Sequence, residues 1–383
     1  MRKVIFAVLV AAMVMMGCAT KQEDNVIKLG WFGPLTGNNA LWGVAELNTV
    51  KMMADDYNAQ GGLDVGGKKY QIQVIGYDDK GDPTEAVNVA KRLTSQDKVC
   101  AIIGPNASGE AIPVAPIANA AKVPVVATVA TNPKVTVTEA GQVNAYMFRA
   151  CFTDPYQGAV AATYAYEKLG KRRAAIFMSV DDAYSAGLSE FFKANFVKLG
   201  GEIVSEVSFT SGEKDFRAPL TRIKASNPDI IFSPNFYTDV ALSAKQARDL
   251  GMNQVMFGGD GWPSDNLIPL AGNALEGCYF VNQLDFNDPT VAPLQKAYKA
   301  KYGINPELNT YMAHDAVLMV VDAIQRAKAI DGASIQKALE SCDVQGVTGH
   351  IVIGPTHDPV NKDAAIIKIV GKDMIFQEKA VAK

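Results

Sequence analysis

Apolar residues along this chain fall in two formats: short runs rich in Val, Ile and Phe, and longer stretches in which they recur every three or four positions. The first format marks buried strands and the second amphipathic helices. Val26 to Phe32 reads as a strand. The next stretch, about Gly43 to Gln60, sets Val44, Leu47, Val50, Ala54 and Tyr57 on one helical face and stops at Gly61 and Gly62. Tyr70 to Tyr77 is strand-like again. Asp82 as N-cap, Pro83 in the first turn and Glu85 as capping-box partner then start a helix that runs to about Ser95. A strand from Ala101 to Gly104, a helix from Gly109 to Ala121 and a strand from Val125 to Thr128 complete a series that predicts a parallel sheet covered on both faces.

The series then restarts. After Tyr146 to Ala150 come a helix near Pro155 to Leu169, strand Ala174 to Met178, helix Ala183 to Leu199 and strand Glu202 to Phe209. A helix near Phe216 to Ala225, strand Asp229 to Ser233, helix Thr238 to Leu250 and strand Val255 to Gly258 follow. The first series ends a helix at Gly61 and Gly62 and a strand at Pro105; the second echoes this at Gly200 and Gly201 and at Pro234. Two similar α/β lobes are the simplest account, the first carrying a hairpin-like insert around Val65 to Lys69. From about Asn282 the pattern is mostly helical, near Pro289 to Tyr302, Tyr311 to Ala329 and Ala333 to Ser341, closing with strand-like His350 to Ile353 and Ala364 to Val370. So few strands cannot build a third sheet, so these helices are expected to return and cover the first lobe.

The chain has 383 residues, 48% hydrophobic and 20% charged, which excludes a disordered or fibrous protein. Net charge is −3 without any basic block, so nucleic acid is not expected as a partner. The first residues change the picture more. Arg2 and Lys3 precede an apolar run from Val4 to Met16, too short to span a bilayer but suited to a secretory signal. Gly17 and Cys18 follow, then the polar stretch Ala19 to Asn25; a cysteine at this place resembles the lipidated first residue of a bacterial lipoprotein. Cys100, Cys151, Cys278 and Cys342 remain, either paired in an oxidising compartment or buried as free thiols.

Several enzyme and cofactor patterns are weak on inspection. Gly61 to Lys68, GGLDVGGK, has phosphate-loop spacing but has Lys69 at the Ser/Thr position and follows a helix instead of a strand; its glycines read as turn residues. His350, His357 and Asp358 lie at a strand end and a turn without a fourth ligand and read as surface loop residues, so no metal or other cofactor is expected. Neither a GxSxG elbow nor an HExxH motif occurs. More informative is the junction Gly104, Pro105, Asn106, Ala107, Ser108, Gly109, where a loop leaves the carboxyl end of a parallel strand and enters a helix N-terminus. Free backbone N–H groups there favour an anion, and ligands of open α/β sheets bind outside such ends. Ser108 can donate its hydroxyl to a carboxylate or serve as a plain N-cap. Thr131 emerges at the neighbouring strand end. In the second series, Asp260 is framed by Gly258, Gly259 and Gly261 and supplies the complement for a ligand carrying both carboxylate and ammonium groups.

Longer motifs lie along the same chain. IKLGWFGPLTG at Ile27 to Gly37, YDDKGDPTEAVNVAKRL at Tyr77 to Leu93, AIIGP at Ala101 to Pro105 and FRACFTDPYQG at Phe148 to Gly158 resemble the bacterial periplasmic binding proteins for leucine, isoleucine and valine, as do GEKDF at Gly212 to Phe216, the helix containing Tyr311 to Ala323, and GVTGHIVIGPTHDP at Gly346 to Pro359. The resemblance implies the type I periplasmic binding protein fold: an α/β protein of two doubly wound parallel-sheet lobes joined by three hinge strands. It divides the chain into a signal peptide at 1–17, a lipidated N-terminus and tether at 18–25, one lobe of 26–150 plus 282–362, and a second of 151–281 plus 363–383. It further implies that the protein is not an enzyme, and that it binds an amino acid, most simply aliphatic or branched, outside the cytoplasm and presents it to an ABC transporter permease, held at the membrane by a lipid on Cys18. By the same resemblance Ser108 and Thr131 match carboxylate-binding hydroxyls, and Val129 a position contributing backbone. Trp42 falls where an aromatic lines the side-chain end of the pocket, Tyr184 where a tyrosine of the second lobe closes over the ligand, and Asp260 where an acid, more often Glu, holds the α-ammonium. Phe236 replaces a tyrosine, and Gly81 and Ala107 replace the cysteines of a disulfide usual in the first lobe.

Two other functions remain open at this stage. A sensory protein of the same fold would report amides or other small metabolites to a signalling partner. A secreted hydrolase using Ser108 would need a general base that the neighbouring sequence does not offer.

Overall fold

The computed structural model describes residues 25–380. The expected signal, Cys18 and the tether before Asn25 lie outside the described residues. The first sheet contains β1 (Val26–Gly33), β2 (Leu63–Val65), β3 (Lys68–Asp78), β4 (Ala101–Ile103), β5 (Val125–Ala127) and β6 (Met147–Arg149), in the order β2-β3-β1-β4-β5-β6. From β3 to β6 every neighbour is parallel; only the edge strand β2 is antiparallel. The second sheet contains β7 (Arg173–Ser179), β8 (Glu202–Phe209), β9 (Ile230–Phe232), β10 (Val255–Gly258) and β11 (Tyr279–Asn282). A separate antiparallel pair, β12 (Asp343–Gly346) and β13 (Gly349–Val352), precedes β14 (Ala364–Val370) and β15 (Asp373–Ala380), which complete the second sheet in the order β15-β14-β11-β10-β9-β7-β8. Its β14 and β15 run antiparallel, so both sheets are mixed though parallel-dominated.

Alternate residues of each strand enter opposite cores, as a doubly covered sheet requires. Ala101, Ile103 and Val126 face one core with helix Ala40–Ala59, whereas Ile102, Val125 and Ala127 face another with helices Pro83–Arg92 and Ser108–Ala121. Tyr298, Tyr311, Met312 and Val320, from helices Ala292–Tyr302 and Leu308–Ala327, join the first of these cores although strands β7 to β11 of the second sheet separate them from it in sequence. In the second lobe, Ala175, Phe177 and Ile231 pack with Val240 and Leu220, while Ala174, Ile176 and Phe232 pack with Val160, Leu188 and Phe192. The chain passes from lobe to lobe after β6, after β11 and after β13.

Other details refine the expectations. Two helices end in a wider π turn, Leu93–Asp97 and Tyr164–Lys168. Asp82 caps its helix by accepting from Thr84 and Glu85 N–H at 2.8 and 2.9 Å. Of the glycines of GGLDVGGK, Gly61 and Gly62 close the helix before β2, and Gly66 and Gly67, both at positive φ, form the β2–β3 turn as a tight hairpin needs. Cys100, Cys151, Cys278 and Cys342 are free thiols, the last three fully buried. His357 corrects the surface-loop expectation: it is 6% exposed, stacks on Phe148 at 4.1 Å between ring centres and bonds the Met147 carbonyl through Nδ1 at 3.0 Å. Its neighbour Asp358 pairs with Arg149 and His350 with Asp343, so these groups do not converge on one point. No helix among the described residues is long and apolar enough to cross a membrane.

Candidate functional site

The first wall of the site is the loop between β4 and helix Ser108–Ala121. Gly104 turns the chain at φ 89°, and a Cβ there would lie 2.6 Å from the Phe32 carbonyl oxygen, so only glycine fits. Ala107 occupies the N-cap position and Ser108 is the first helical residue. Ser108 is therefore not a plain N-cap. Its Oγ instead accepts from Asn132 N–H at 3.1 Å, which leaves its own proton to donate. Thr131, on the next strand end, is fully buried; its hydroxyl faces the Asp154 carboxyl without a hydrogen bond of ordinary geometry, while its carbonyl accepts from Asp154 N–H at 2.9 Å. Arg149 braces this loop, donating to the Ala130 carbonyl at 2.6 Å, to the Asn132 carbonyl at 3.0 Å and to Thr136 Oγ1 at 2.9 Å, and pairing with Asp358 at 2.5 Å.

The opposite wall is built on the end of β10. Asp260 is 4% exposed, and both its oxygens are held by amides: Oδ1 by Gln157 Nε2 at 3.0 Å and Oδ2 by Gln283 Nε2 at 2.7 Å. Burial pushes its carboxyl up to about 6, against the opposing pull of hydrogen bonds from Gln283, Gln157 and Tyr184. Tyr184 Oη accepts from Gly261 N–H at 3.0 Å, and its ring stacks on Phe236 with centres 5.5 Å apart. A Cβ on Gly259 would fall 2.1 Å from Gln157 Oε1 and 2.5 Å from Tyr184 Oη, so the missing side chain is what lets both reach Asp260. Asp154, fully buried nearby, lies well above the usual carboxylate range because of burial, with the charge of Asp260 adding to the shift.

The two walls touch. Trp42, on the first lobe's helix Ala40–Ala59, packs among apolar residues of the second, edge-on to Phe236 and Tyr237, and donates Nε1 to the Pro263 carbonyl at 3.2 Å. Tyr237 Oη donates to the Asn38 carbonyl at 2.6 Å, and Asn132 Nδ2 to the Ala183 carbonyl at 2.8 Å. Between them remains a cavity of about 20 Å³. That is room for about one water, so the lobes are closed on each other.

Trp42, Ser108, Val129, Tyr184, Phe236 and Asp260 all line this cavity, brought together from both lobes; Thr131 does not. Asn106 and Asn309 also line it, and the sequence reading missed both. Asn106 lay inside the strand-to-helix junction, where a second polar residue was a usable signal; Asn309 comes from a late helix and carried none. Gln157 stood unremarked inside the FRACFTDPYQG span. Among the described residues, the cavity wall holds no lysine, arginine or histidine. A much larger open groove, about 1400 Å³, runs past Ile268 and Tyr311 but holds none of the expected site residues.

Ser108 at a helix N-terminus and the buried Asp260 thus meet the same small cavity from opposite walls. Residues 26–373 match the family model described as periplasmic binding protein. The chain belongs to that family. An amino acid binding protein of Pseudomonas aeruginosa is 32% identical over 354 residues, 91% of this chain and 90% of its own. The structure of a leucine binding protein, LivK, from Thermotoga maritima superposes with a TM-score of 0.85 at 32% identity, over 93% of this binding protein and 99% of that chain. The solute binding protein of an ABC transporter from Rhodopseudomonas palustris, solved with 3,4-dihydroxybenzoic acid, reaches 0.80 at 28% identity, covering 94% and 98%. This binding protein is thus similar to proteins with amino acid ligands and to one with an aromatic acid.

Proposed function

We propose that this binding protein captures an α-amino acid between its lobes, outside the cytoplasm, and delivers it to an ABC transporter permease, anchored through a lipid on Cys18. In this reading it has no catalytic role. The lobes are 26–150 plus 282–362 and 151–281 plus 363–383. Ser108 and the N–H groups of its helix hold the carboxylate, Val129 contributes backbone, Asp260 holds the ammonium, and Tyr184 and Phe236 close over the ligand; Thr131, named from the sequence as a second carboxylate donor, stands behind this wall against Asp154. Trp42, Val129 and Phe236 give the side-chain end the apolar surface that an aliphatic or branched side chain needs.

One observation carries the reading: Asp260, buried opposite Ser108 in a wall without a fixed cation. A carboxylate ligand alone would approach this acid without compensation, whereas an ammonium group matches it and draws its proton affinity back down. Ser108 takes its hydrogen bond from a backbone N–H and lies next to no histidine, which leaves a hydrolase without its base.

The test is incubation with an equimolar mixture of amino acids, amides and 3,4-dihydroxybenzoate, followed by desalting and mass spectrometry of what remains bound. Retention of an α-amino acid is the expected result. Exclusive retention of the aromatic acid or of an amide without an α-ammonium overturns it and leaves a carrier of that solute, or a sensor of the same fold, as the better account.

A further inference from the structure

Two amides in the cavity wall take no part in holding the charged ends of an amino acid. Asn106 is 6% exposed, and its Nδ2 is buried without a hydrogen bond. Asn309 is 3% exposed, lines the cavity and donates its own Nδ2 to Glu46 Oε1 at 2.9 Å, which leaves its carbonyl oxygen able to accept from a ligand. Glu46 is otherwise occupied by Thr128 Oγ1 at 2.6 Å and Trp31 Nε1 at 3.3 Å. A buried donor left without a partner is destabilising, so Asn106 calls for a ligand atom that accepts. Asn309 calls for one that donates.

A hydroxyl or a carboxamide does both. A side-chain carboxylate cannot donate to Asn309 and would enter beside the buried Glu46, and an ammonium cannot accept from Asn106. An aliphatic side chain leaves both amides unanswered.

We propose that the side-chain end of the cleft selects a neutral polar group, a hydroxyl or carboxamide on a short side chain, to which Asn106 donates and from which Asn309 accepts. The selection rests on the α-amino acid reading above and departs from it at the side chain, where a polar isostere takes the place of an aliphatic one. Threonine has the shape of valine, and asparagine that of leucine, so the apolar surfaces of Trp42, Val129 and Phe236 accommodate either member of each pair; the amides discriminate between them.

Calorimetric titration of the whole protein with L-threonine, L-valine, L-asparagine and L-leucine tests this directly. In at least one pair the polar member is expected to bind about tenfold or more tightly than its isostere, because a site built to hydrogen-bond a side chain rejects the analogue lacking it. Asn106→Leu should shrink or invert that preference, and Asn106→Ala, with folding checked by circular dichroism, should shrink it without adding bulk. Valine and leucine binding as tightly as their isosteres, or more tightly, overturns the selection while leaving the amino acid reading in place. Failure of all four also overturns it, and the retained-ligand experiment then separates the two claims: another α-amino acid recovered there preserves the function, and none recovered removes both.

Discussion

Gln157 holds Asp260 at two points, accepting its backbone N–H through Oε1 at 2.8 Å and donating Nε2 to Oδ1 at 3.0 Å. Gln157 lies just beyond the first passage between lobes, on helix Asp154–Thr163, and Gln283, which takes the other oxygen, lies on the second passage. The acid at the end of β10 is therefore oriented by residues on two of the segments that connect the sheets. Each carboxylate oxygen accepts more than one hydrogen bond, so this bracing fixes Asp260 and still leaves lone pairs for an ammonium group.

The first prediction orders two losses. Deleting a carboxylate that faces a buried ammonium costs roughly 3 to 5 kcal/mol, about a hundredfold to several thousandfold in affinity. Removing one hydroxyl among several donors costs about 1 to 3 kcal/mol. Calorimetric titration with the retained amino acid should thus find Asp260→Ala clearly weaker than Ser108→Ala. Asp260→Ala binding within about threefold of the parent would mean that no ammonium sits there.

Gly259 gives a test of the bracing itself. An alanine methyl must displace Gln157 Oε1 or Tyr184 Oη, since both lie within 2.5 Å of where it would stand. Overpacking of this kind costs about 1 to 3 kcal/mol. Gly259→Ala should lower the melting temperature and weaken ligand binding together, whereas Gly277→Ala, at a glycine whose Cβ would meet nothing but whose φ is 71°, should lower stability alone.

Much of this arrangement is legible in the letters because the carboxyl ends of parallel strands are predictable places. Ser108 and Asp260 could be named once β4 and β10 were recognised as buried apolar runs, whereas Trp42, Val129, Tyr184 and Phe236 came from the family resemblance. What failed has a physical reason in each case. Strand β11 starts on a half-buried Tyr279 and ends on the polar Asn282, so it lacks the uniform apolar run that marked β4 and β5, and β15 is an edge strand whose exposed alternate residues read as loop. Gln157 meets Asp260 from 103 residues away and Asn309 meets Glu46 from 263. No local pattern encodes partners at such separations.

The cleft should also respond to pH. Glu110, in the first turn of helix Ser108–Ala121, is 8% exposed, and burial, with the charges of Asp79 and of Asp182 on the other lobe adding to it, pushes its carboxyl up to about 8. Burial likewise raises Asp79 and Asp182 to about 6. For an acid raised on folding, the favourable contribution is fully present below its unfolded value, about 4.3 for glutamate, and is lost as pH rises through the folded one. Glu110→Gln should therefore melt progressively higher than the parent as pH climbs from about 5 to about 8, the difference levelling off above that. The expected difference is smallest at the acid end; a constant difference across the range would contradict the assignment.

Anchoring is tested at Cys18. The expressed protein should sediment with membranes, and Cys18→Ser should release it or block its processing. Recovery of the parent wholly in the soluble fraction would remove the lipid anchor from the proposal.

Trp42 supplies the last prediction. Its indole is 5% exposed only because it enters the second lobe, where Phe236, Tyr237 and the Pro263 carbonyl surround it. A cavity of about 20 Å³ admits no amino acid, so ligand must enter while this contact is broken and be trapped as it reforms. Small-angle scattering should show a smaller radius of gyration with ligand than without. Deleting a buried Trp side chain costs about 3 to 5 kcal/mol, and here most of that loss falls on the closed form. Trp42→Ala should thus leave each lobe folded, keep the free protein open, and weaken binding by about a hundredfold or more, since closure is linked to affinity. A Trp42→Ala variant that still contracts at the parent's ligand concentration would show that closure is driven by the ligand contacts alone.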